Sequence, residues 1–172
     1  MADISISREE YEAWAVAPLV DPRAAKADQL IHGMEQIIAV EGPVMASRVF
    51  QIVSKAGGVN RIYDETKRSF LRALEAAIDD GTFVADQEAS DDPATWIVRL
   101  PAQPPVRVRT LGSRTLYEVP AAELAECILE FRVQNELISR EELFRKVLHE
   151  YGLTRLTEAT TNRLEYILDT WF

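Results

Sequence analysis

The most constraining feature of this sequence is an internal repeat with an offset of 94 residues. The stretch EGPVMASRVFQIVSKAGGVNR at residues 41–61 aligns without a gap with NELISREELFRKVLHEYGLTR at residues 135–155. The alignment extends from Leu30 to Leu74, and apolar residues match apolar residues at most positions. Matched pairs include Val44 with Ile138, Val49 with Leu143, Phe50 with Phe144, Val53 with Val147, Gly58 with Gly152, Val59 with Leu153, Arg61 with Arg155, Phe70 with Leu164 and Leu74 with Leu168. The repeat predicts that one helical arrangement is formed twice, because both copies must bury similar apolar faces.

The first copy has the spacing of three amphipathic helices. The first helix is predicted to begin at an N-cap, Asp21, followed by proline, and to stop at Gly42-Pro43. The second ends at Gly57-Gly58, and the third runs from about Asp64 to about Asp80. Their apolar faces comprise Leu30, Ile31, Met34, Ile37, Ile38, Val49, Phe50, Ile52, Val53, Phe70, Leu71, Leu74 and either Ala77 or Ile78.

The N-terminal residues carry a helix-start pattern of their own. Ser7 and Glu10 have the spacing of a capping box, and Tyr11, Trp14 and Leu19 fall on one face of a helix. This pattern predicts a short N-terminal helix that ends near the proline at position 18 and packs as an arm.

Two β-prone runs follow the third helix. Thr82–Ala85 and Thr95–Leu100 are joined by an acidic, turn-rich segment, which is typical of a hairpin. A hairpin is only marginally stable alone, so it must pack on the helices, with Phe83, Trp96 and Val98 as anchors. Three helices followed by a hairpin is the order of a winged helix, a variant of the helix-turn-helix.

The second copy ends within or just after its third helix. No sequence remains there for a wing, so the copy is wingless or truncated before its wing. We therefore predict a mainly α protein with tandem winged-helix or helix-turn-helix repeats. The expected divisions are an N-terminal helical arm at 1–20, a winged-helix domain at 21–100, a Pro/Arg-rich connector at 101–119 and a wingless helix-turn-helix domain at 120–172.

The composition indicates in which cellular compartment the protein is expected and which kinds of chemistry it lacks the residues for. One cysteine, Cys127, excludes a disulfide framework, and no apolar window approaches the length of a membrane span or a signal peptide. A cytoplasmic protein is expected. The sequence has no Walker A pattern or GxSxG motif, and His32 and His149 lie on separate predicted helices. We therefore expect no enzymatic activity, metal site or cofactor.

Three segments resemble a domain of unknown function found at the C-terminal end of large bacterial superfamily-one helicase-like proteins. The segments are VEGPVMASRVFQIVSKAGGVNR, QPPVRVRT and VPAAELAECILEFRVQNELISREELFRKVLHEYGLTRLTEATTNRLEYIL, and the resemblance spans residues 28–172. Some of these large proteins also carry a restriction-endonuclease-like nuclease domain. The resemblance implies an accessory role beside a helicase or nuclease, because this chain has no helicase core.

The charge distribution indicates where nucleic acid would bind. Net charge is −9, and residues 75–92 contain seven acids with no Lys or Arg, whereas residues 93–116 contain four arginines with no acid. Duplex DNA is expected to contact the third helix of the first copy and the basic connector, since the exposed helix of a helix-turn-helix enters the major groove. The predicted contact residues are Arg61, Lys67, Arg68, Arg72, Arg107, Arg109 and Arg114.

A second interpretation treats the chain as a protein-protein interaction or dimerisation module with no direct DNA contact. Net acidity opposes contact with phosphates, and Asp64 and Glu65 begin the helix that would read bases. Trp171 and Phe172 are expected to pack inward or to lie at a partner surface, which includes the surface of a homodimer.

Overall fold

Helices make up most of the secondary structure. The computed structural model describes residues 8–88 and 90–172, and this part of the chain is mainly helical with one small antiparallel sheet. Its α-helices are α1 (Ala27–Glu41), α2 (Ala46–Ala56), α3 (Asp64–Asp79), α4 (Ala121–Gln134), α5 (Arg140–Glu150) and α6 (Glu158–Trp171). Its strands are β1 (Val44–Met45), β2 (Val84–Asp86) and β3 (Ile97–Arg99). The prediction of a mainly α fold is confirmed.

The chain divides into two compact units. The first-repeat unit is Glu12–Pro105, which holds α1, α2, α3 and the sheet. The second-repeat unit joins residues 8–11 to Val106–Phe172 and holds α4, α5 and α6. The segment predicted as a connector, residues 101–119, is therefore divided between the units, and Leu116 and Val119 lie in the core of the second-repeat unit.

In the first-repeat unit, α1 contacts both α2 and α3. Its apolar stripe stops at Gly42, whose N–H donates to the carbonyl of Ile38 at 2.8 Å before proline prevents further helix. The rings of Phe50 and Phe70 stack with their centroids 4.8 Å apart, which joins α2 to α3. The buried core comprises Leu30, Met34, Ile37, Ile38, Val44, Ala46, Val49, Phe50, Val53, Phe70, Ala73, Leu74, Ala77, Phe83, Ala94 and Val98.

The sheet has the order β1-β3-β2, and both pairings are antiparallel. Val98 of β3 lies opposite Val44 on one side and Ala85 on the other. The predicted hairpin is therefore present, and the extended residues before α2 add a third strand to it. Phe83 and Val98 are buried against the helices, so the sheet is stabilised by the same core.

The second-repeat unit repeats the helix pairing, because α4 contacts both α5 and α6. Its helices α4, α5 and α6 begin 94 residues after α1, α2 and α3 respectively. No strand lies between residues 121 and 172, all of which the structure describes. The buried core comprises Leu116, Val119, Ala121, Leu124, Ala125, Cys127, Ile128, Leu143, Phe144, Val147, Leu148, Tyr151, Leu164 and Ile167.

The turn after the middle helix has the same hydrogen bonds in both copies. The N–H of Val59 donates to the carbonyl of Ser54, and the N–H of Leu153 donates to that of Leu148, each at 2.8 Å. The intervening glycines, Gly58 and Gly152, have φ of +84° and +72°. Side chains disfavour this left-handed backbone, which explains why glycine recurs there.

The predicted N-terminal helix is absent from residues 8–20, which lie in extended and irregular backbone. Their N–H groups donate to distant partners: that of Glu9 to the carbonyl of Val108 at 3.0 Å and that of Trp14 to Oε2 of Glu41 at 3.1 Å. These long-range bonds replace the local bonds that a helix needs. Ser7, the first residue of the predicted capping box, lies outside the described residues.

The predicted N-cap at Asp21 is also wrong, because α1 begins only at Ala27. The carboxylate of Asp21 accepts from the backbone N–H and the guanidinium of Arg23, which closes a local turn. At α5, by contrast, Ser139 is the N-cap, and its hydroxyl accepts from the N–H of Glu142 at 3.2 Å.

We expect Gly58→Ala to lower the free energy of unfolding by about 1 kcal/mol, because an L side chain is strained at positive φ. No atom lies within 4 Å of a Cβ added there, so the effect isolates the backbone. Gly33→Ala is the matched control: its Cβ would meet Leu19 and Val53 at ordinary contact distances, and it sits inside α1. The control should be neutral or stabilising in urea unfolding. If both variants lost the same free energy of unfolding, the result would contradict the conclusion that the turn requires glycine at position 58.

Candidate nucleic-acid interface

The solvent-facing side of α3 carries two exposed arginines. Arg68 and Arg72 lie one turn apart, opposite the buried Phe70 and Leu74. The guanidinium of Arg68 has no hydrogen bond or ion pair with any described residue, and that of Arg72 donates only a long bond of 3.4 Å to the hydroxyl of Ser69. Both guanidinium groups are therefore available to an external anion.

Two further predicted residues flank this face. The guanidinium of Arg61 lies 5.2 Å from the ring centroid of Tyr63, which is itself exposed. Lys67 is half-exposed, and its Nζ lies 3.3 Å from Oδ2 of Asp92, so a surface carboxylate partly offsets its charge. Such exposed pairs contribute little to stability and break easily. The structure thus places Arg61, Lys67, Arg68 and Arg72 on the surface of the first-repeat unit.

Acids lie at both ends of the α3 face. Asp64 and Glu65 are exposed in the first turn of α3, and Glu75 is exposed one turn after Arg72. Carboxylates at the start of the helix favour its dipole but weaken attraction for phosphate there. The positive potential is therefore concentrated around Arg68 and Arg72 rather than at the N-terminus of α3.

A depression of about 500 Å³ lies beside the turn between α2 and α3. No acid lines it; the lining residues are Gln51, Ser54, Lys55, Val59, Asn60, Arg61 and Ile62. Lys55 and Arg61 provide two cations, and the side-chain amides add uncharged donors. The hydroxyl of Ser54 is buried and has no hydrogen-bond partner in the described residues, which is uncommon for a buried polar atom. This depression is a second cationic surface of the same unit.

Arg107, Arg109 and Arg114 lie in the second-repeat unit. Arg107 is half-buried, and its Nη2 lies 2.5 Å from Oε1 of Glu9. Arg109 and Arg114 are buried, with 1% and 4% of their surface exposed. The prediction that these two arginines contact a DNA backbone is therefore corrected, because neither side chain reaches solvent.

Glu123 of α4 is the reason for that burial. Arg114 donates to both carboxylate oxygens, at 2.8 Å to Oε2 and at 3.0 Å to Oε1. The backbone N–H of Arg109 donates to Oε1 at 2.9 Å. The ring of Tyr11 lies under both guanidinium groups, with centroid distances of 4.8 Å to Arg109 and 4.3 Å to Arg114. A bidentate carboxylate and an aromatic face replace the water that these cations lose.

Burial also changes proton affinities in this unit. Loss of hydration lowers the pKa of Arg109 to about 10, and the charge of Glu123 opposes this shift. Burial raises the pKa of the Cys127 thiol to about 12, so the thiol is protonated at neutral pH. Nη2 of Arg8 donates to the Cys127 sulfur at 3.1 Å, which makes this cysteine a packing and hydrogen-bonding residue.

Sequence reasoning missed Glu123, Lys55 and Ser54. Glu123 carried a usable signal, because it is an acid next to Leu124 and Ala125 on the buried side of a helix. No sequence signal pointed to Lys55 or Ser54, because the depression that they line is formed by the packing of the turn against α2 and not by a sequence motif.

Among residues 8–88 and 90–172, no group of three or more His, Cys, Asp or Glu side chains is placed to hold a metal ion. The helices of the described chain are also too short or too polar to cross a membrane. No family model, curated protein or solved structure matches this chain.

We expect Glu123→Gln to lower the free energy of unfolding by about 3–5 kcal/mol, because it removes the carboxylate that is ion-paired with two buried guanidinium groups. Glu126→Gln is the control: it makes the same change at an exposed position of α4 and should stay within about 0.5 kcal/mol of the parent. Urea unfolding measures both. A small effect at Glu123 would show that the cluster does not hold the unit together.

Proposed function

We propose that this chain is a non-catalytic accessory module of a helicase- or nuclease-type system, and that it binds double-stranded DNA through α3. The observation that carries the proposal is the pair Arg68 and Arg72, exposed one turn apart on the third helix of the first-repeat unit. Arg68 lacks any partner in the described chain, so binding a phosphate breaks no internal ion pair.

The arrangement of the first-repeat unit supports interpreting it as a winged helix. Three helices, a short strand before the second helix and a hairpin after the third occur in the chain order of that fold. The strand pairing places the hairpin on the helical core. In this interpretation α3 enters the major groove with its solvent-facing side.

The exposed face of α3 and the depression at the α2–α3 turn contact different parts of the DNA in this proposal. Arg68 and Arg72 meet base edges or phosphates within the groove, while Lys55 and Arg61 at the α2–α3 turn hold the flanking backbone. The net charge of −9 repels DNA from the rest of the surface. Binding is therefore expected to be weak, orientation-dependent and sensitive to salt.

The second candidate function is a protein-protein interaction or dimerisation module. The observation that favours it is an exposed apolar surface at one end of the second-repeat unit, around Val133 and Phe172. This function needs no DNA contact and predicts the opposite response to salt, because apolar association does not release counterions.

We expect a 20-bp duplex to bind with a log affinity that falls linearly as log salt rises, since about four phosphate contacts give a slope of about −3.6. The double variant Arg68→Gln, Arg72→Gln should reduce that slope by about 2 and weaken binding at least about ten-fold at 50 mM NaCl. Fluorescence anisotropy between 50 and 200 mM NaCl measures both quantities.

The double variant Arg145→Gln, Lys146→Gln is the matched control. It removes two exposed cations from α5 in the second-repeat unit and changes the net charge equally. Equal weakening in both double variants would indicate that overall charge, not the α3 face, governs binding. A duplex that fails to bind at about 100 μM protein in 50 mM NaCl would reject the DNA-binding proposal.

A further inference from the structure

The second-repeat unit exposes apolar side chains at one end of α4 and α6. Among the described residues, the largest exposed hydrophobic side chains number nine, and five of them belong to this region. These five residues form what we call the apolar patch: Leu129, Val133, Leu137, Trp171 and Phe172. Between 44% and 94% of each remains exposed.

Three members of the patch line one depression, and the other two, Leu137 and Trp171, are chain neighbours of the lining residues Glu136 and Phe172. Leu129 and Val133 lie one turn apart on α4, and with Phe172 they line a depression of about 540 Å³. A second depression of about 430 Å³ shares Phe172 and continues to Ile138. The guanidinium of Arg132 lies 5.2 Å from the ring centroid of Phe172, which holds that ring beside α4.

The patch is as large as the largest apolar patch that a monomer ordinarily exposes. A large apolar side chain presents roughly 200 Å², so the exposed fractions amount to about 600 Å². The largest apolar patch of a typical monomer is about 300–600 Å². A standard interface takes about 800 Å² from each partner, and homodimer interfaces are about 65% apolar. The patch therefore supplies the apolar area that one subunit contributes to a standard homodimer.

The charges around the patch favour a second copy over an oppositely charged partner. The charged side chains that line the two depressions are Arg132, Arg140, Glu136 and Asp169, two of each sign. Arg140 is already paired with Asp169 at 3.5 Å. The surface is thus locally neutral on a chain of net charge −9, so two copies can meet there without local repulsion. A basic or acidic partner would gain no charge complementarity.

We propose that the apolar patch is the interface of a homodimer, in which the Leu129–Val133 face of α4 packs against the same face of a second copy. The same residues then serve both subunits, as a two-fold contact requires. The proposal develops the second candidate function and does not depend on DNA binding.

The test is the mass of the whole chain in solution as a function of concentration. Sedimentation equilibrium of the parent should show the mass rising from 19.4 kDa toward twice that value. Association should be unchanged or stronger in 500 mM than in 50 mM NaCl, because salt screens the repulsion between acidic copies. DNA binding responds in the opposite direction, so failure of one proposal is distinguishable from failure of the other.

Val133→Lys should weaken the dimer at least about ten-fold, because association would bury an unpaired ammonium on each subunit. Leu137→Lys is a second variant at a position that is 94% exposed, so it tests the patch with no risk to the fold. Val16→Lys is the control, since Val16 is 86% exposed and lies in the first-repeat unit outside the patch.

Three results would overturn the proposal. One is a mass of 19.4 kDa at every concentration up to about 1 mM. Another is equal weakening by Val133→Lys and Val16→Lys. The third is a parent that is monomeric alone while Val133→Lys abolishes its association with a different protein, which would assign the patch to that protein.

Discussion

The tight turn at Gly58 sets the direction in which α3 leaves α2, and the remaining features of the first-repeat unit depend on that direction. Its left-handed backbone returns two N–H groups to carbonyls at the end of α2. With this turn closed, Phe70 stacks on Phe50, and the opposite side of α3 meets solvent with Arg68 and Arg72. The proposed DNA-binding face is thus a consequence of helix packing, and it exists only while the turn and the core are formed.

Arginines that pair with a buried carboxylate stabilise the fold, whereas arginines without such a pair are available to bind a ligand. Arg48 donates to Glu41 at 2.9 Å, and Arg114 donates to both oxygens of Glu123. Each pair joins a helix to another segment of its own unit, and removing either acid leaves a buried charge. The guanidinium of Arg68 forms no ion pair with a buried acid among the described residues. Whether an arginine is buried or exposed therefore depends on the neighbouring helix. Where that helix has an acid on its buried side, the acid pairs with the guanidinium and keeps it in the interior.

Local patterns predicted the helices of both copies and the hairpin, because each depends on side chains fewer than about 20 residues apart. The repeat followed from comparing two such local patterns 94 residues apart. The prediction of a helix in the N-terminal arm failed because the structure of this segment depends on residues far away in the sequence. Glu9 pairs with the backbone around Arg109, and Trp14 donates to Glu41, so distant partners outweigh a local helix pattern. The predictions for Arg109 and Arg114 of the connector failed in the same way, because the burial of these two side chains depends on the packing of α4. Of the candidate site, the cations of α3 were predictable, since they lie opposite an apolar stripe, whereas the depression at Ser54 was not.

The two copies of the repeat have kept the same helices but expose different chemistry. The exposed face of α3 is cationic, whereas the corresponding position 94 residues after Arg72 is Tyr166, and α6 ends in the aromatic pair of the apolar patch. If both proposals hold, a dimer carries two α3 faces, and binding of the second becomes intramolecular once the first is occupied. Where one duplex reaches both faces, this effect raises the apparent affinity of a face with only two available guanidinium groups without any new contact. Weak single-site binding would be a property of the isolated subunit, and the division between a DNA-contacting copy and a self-associating copy would explain why one fold occurs twice.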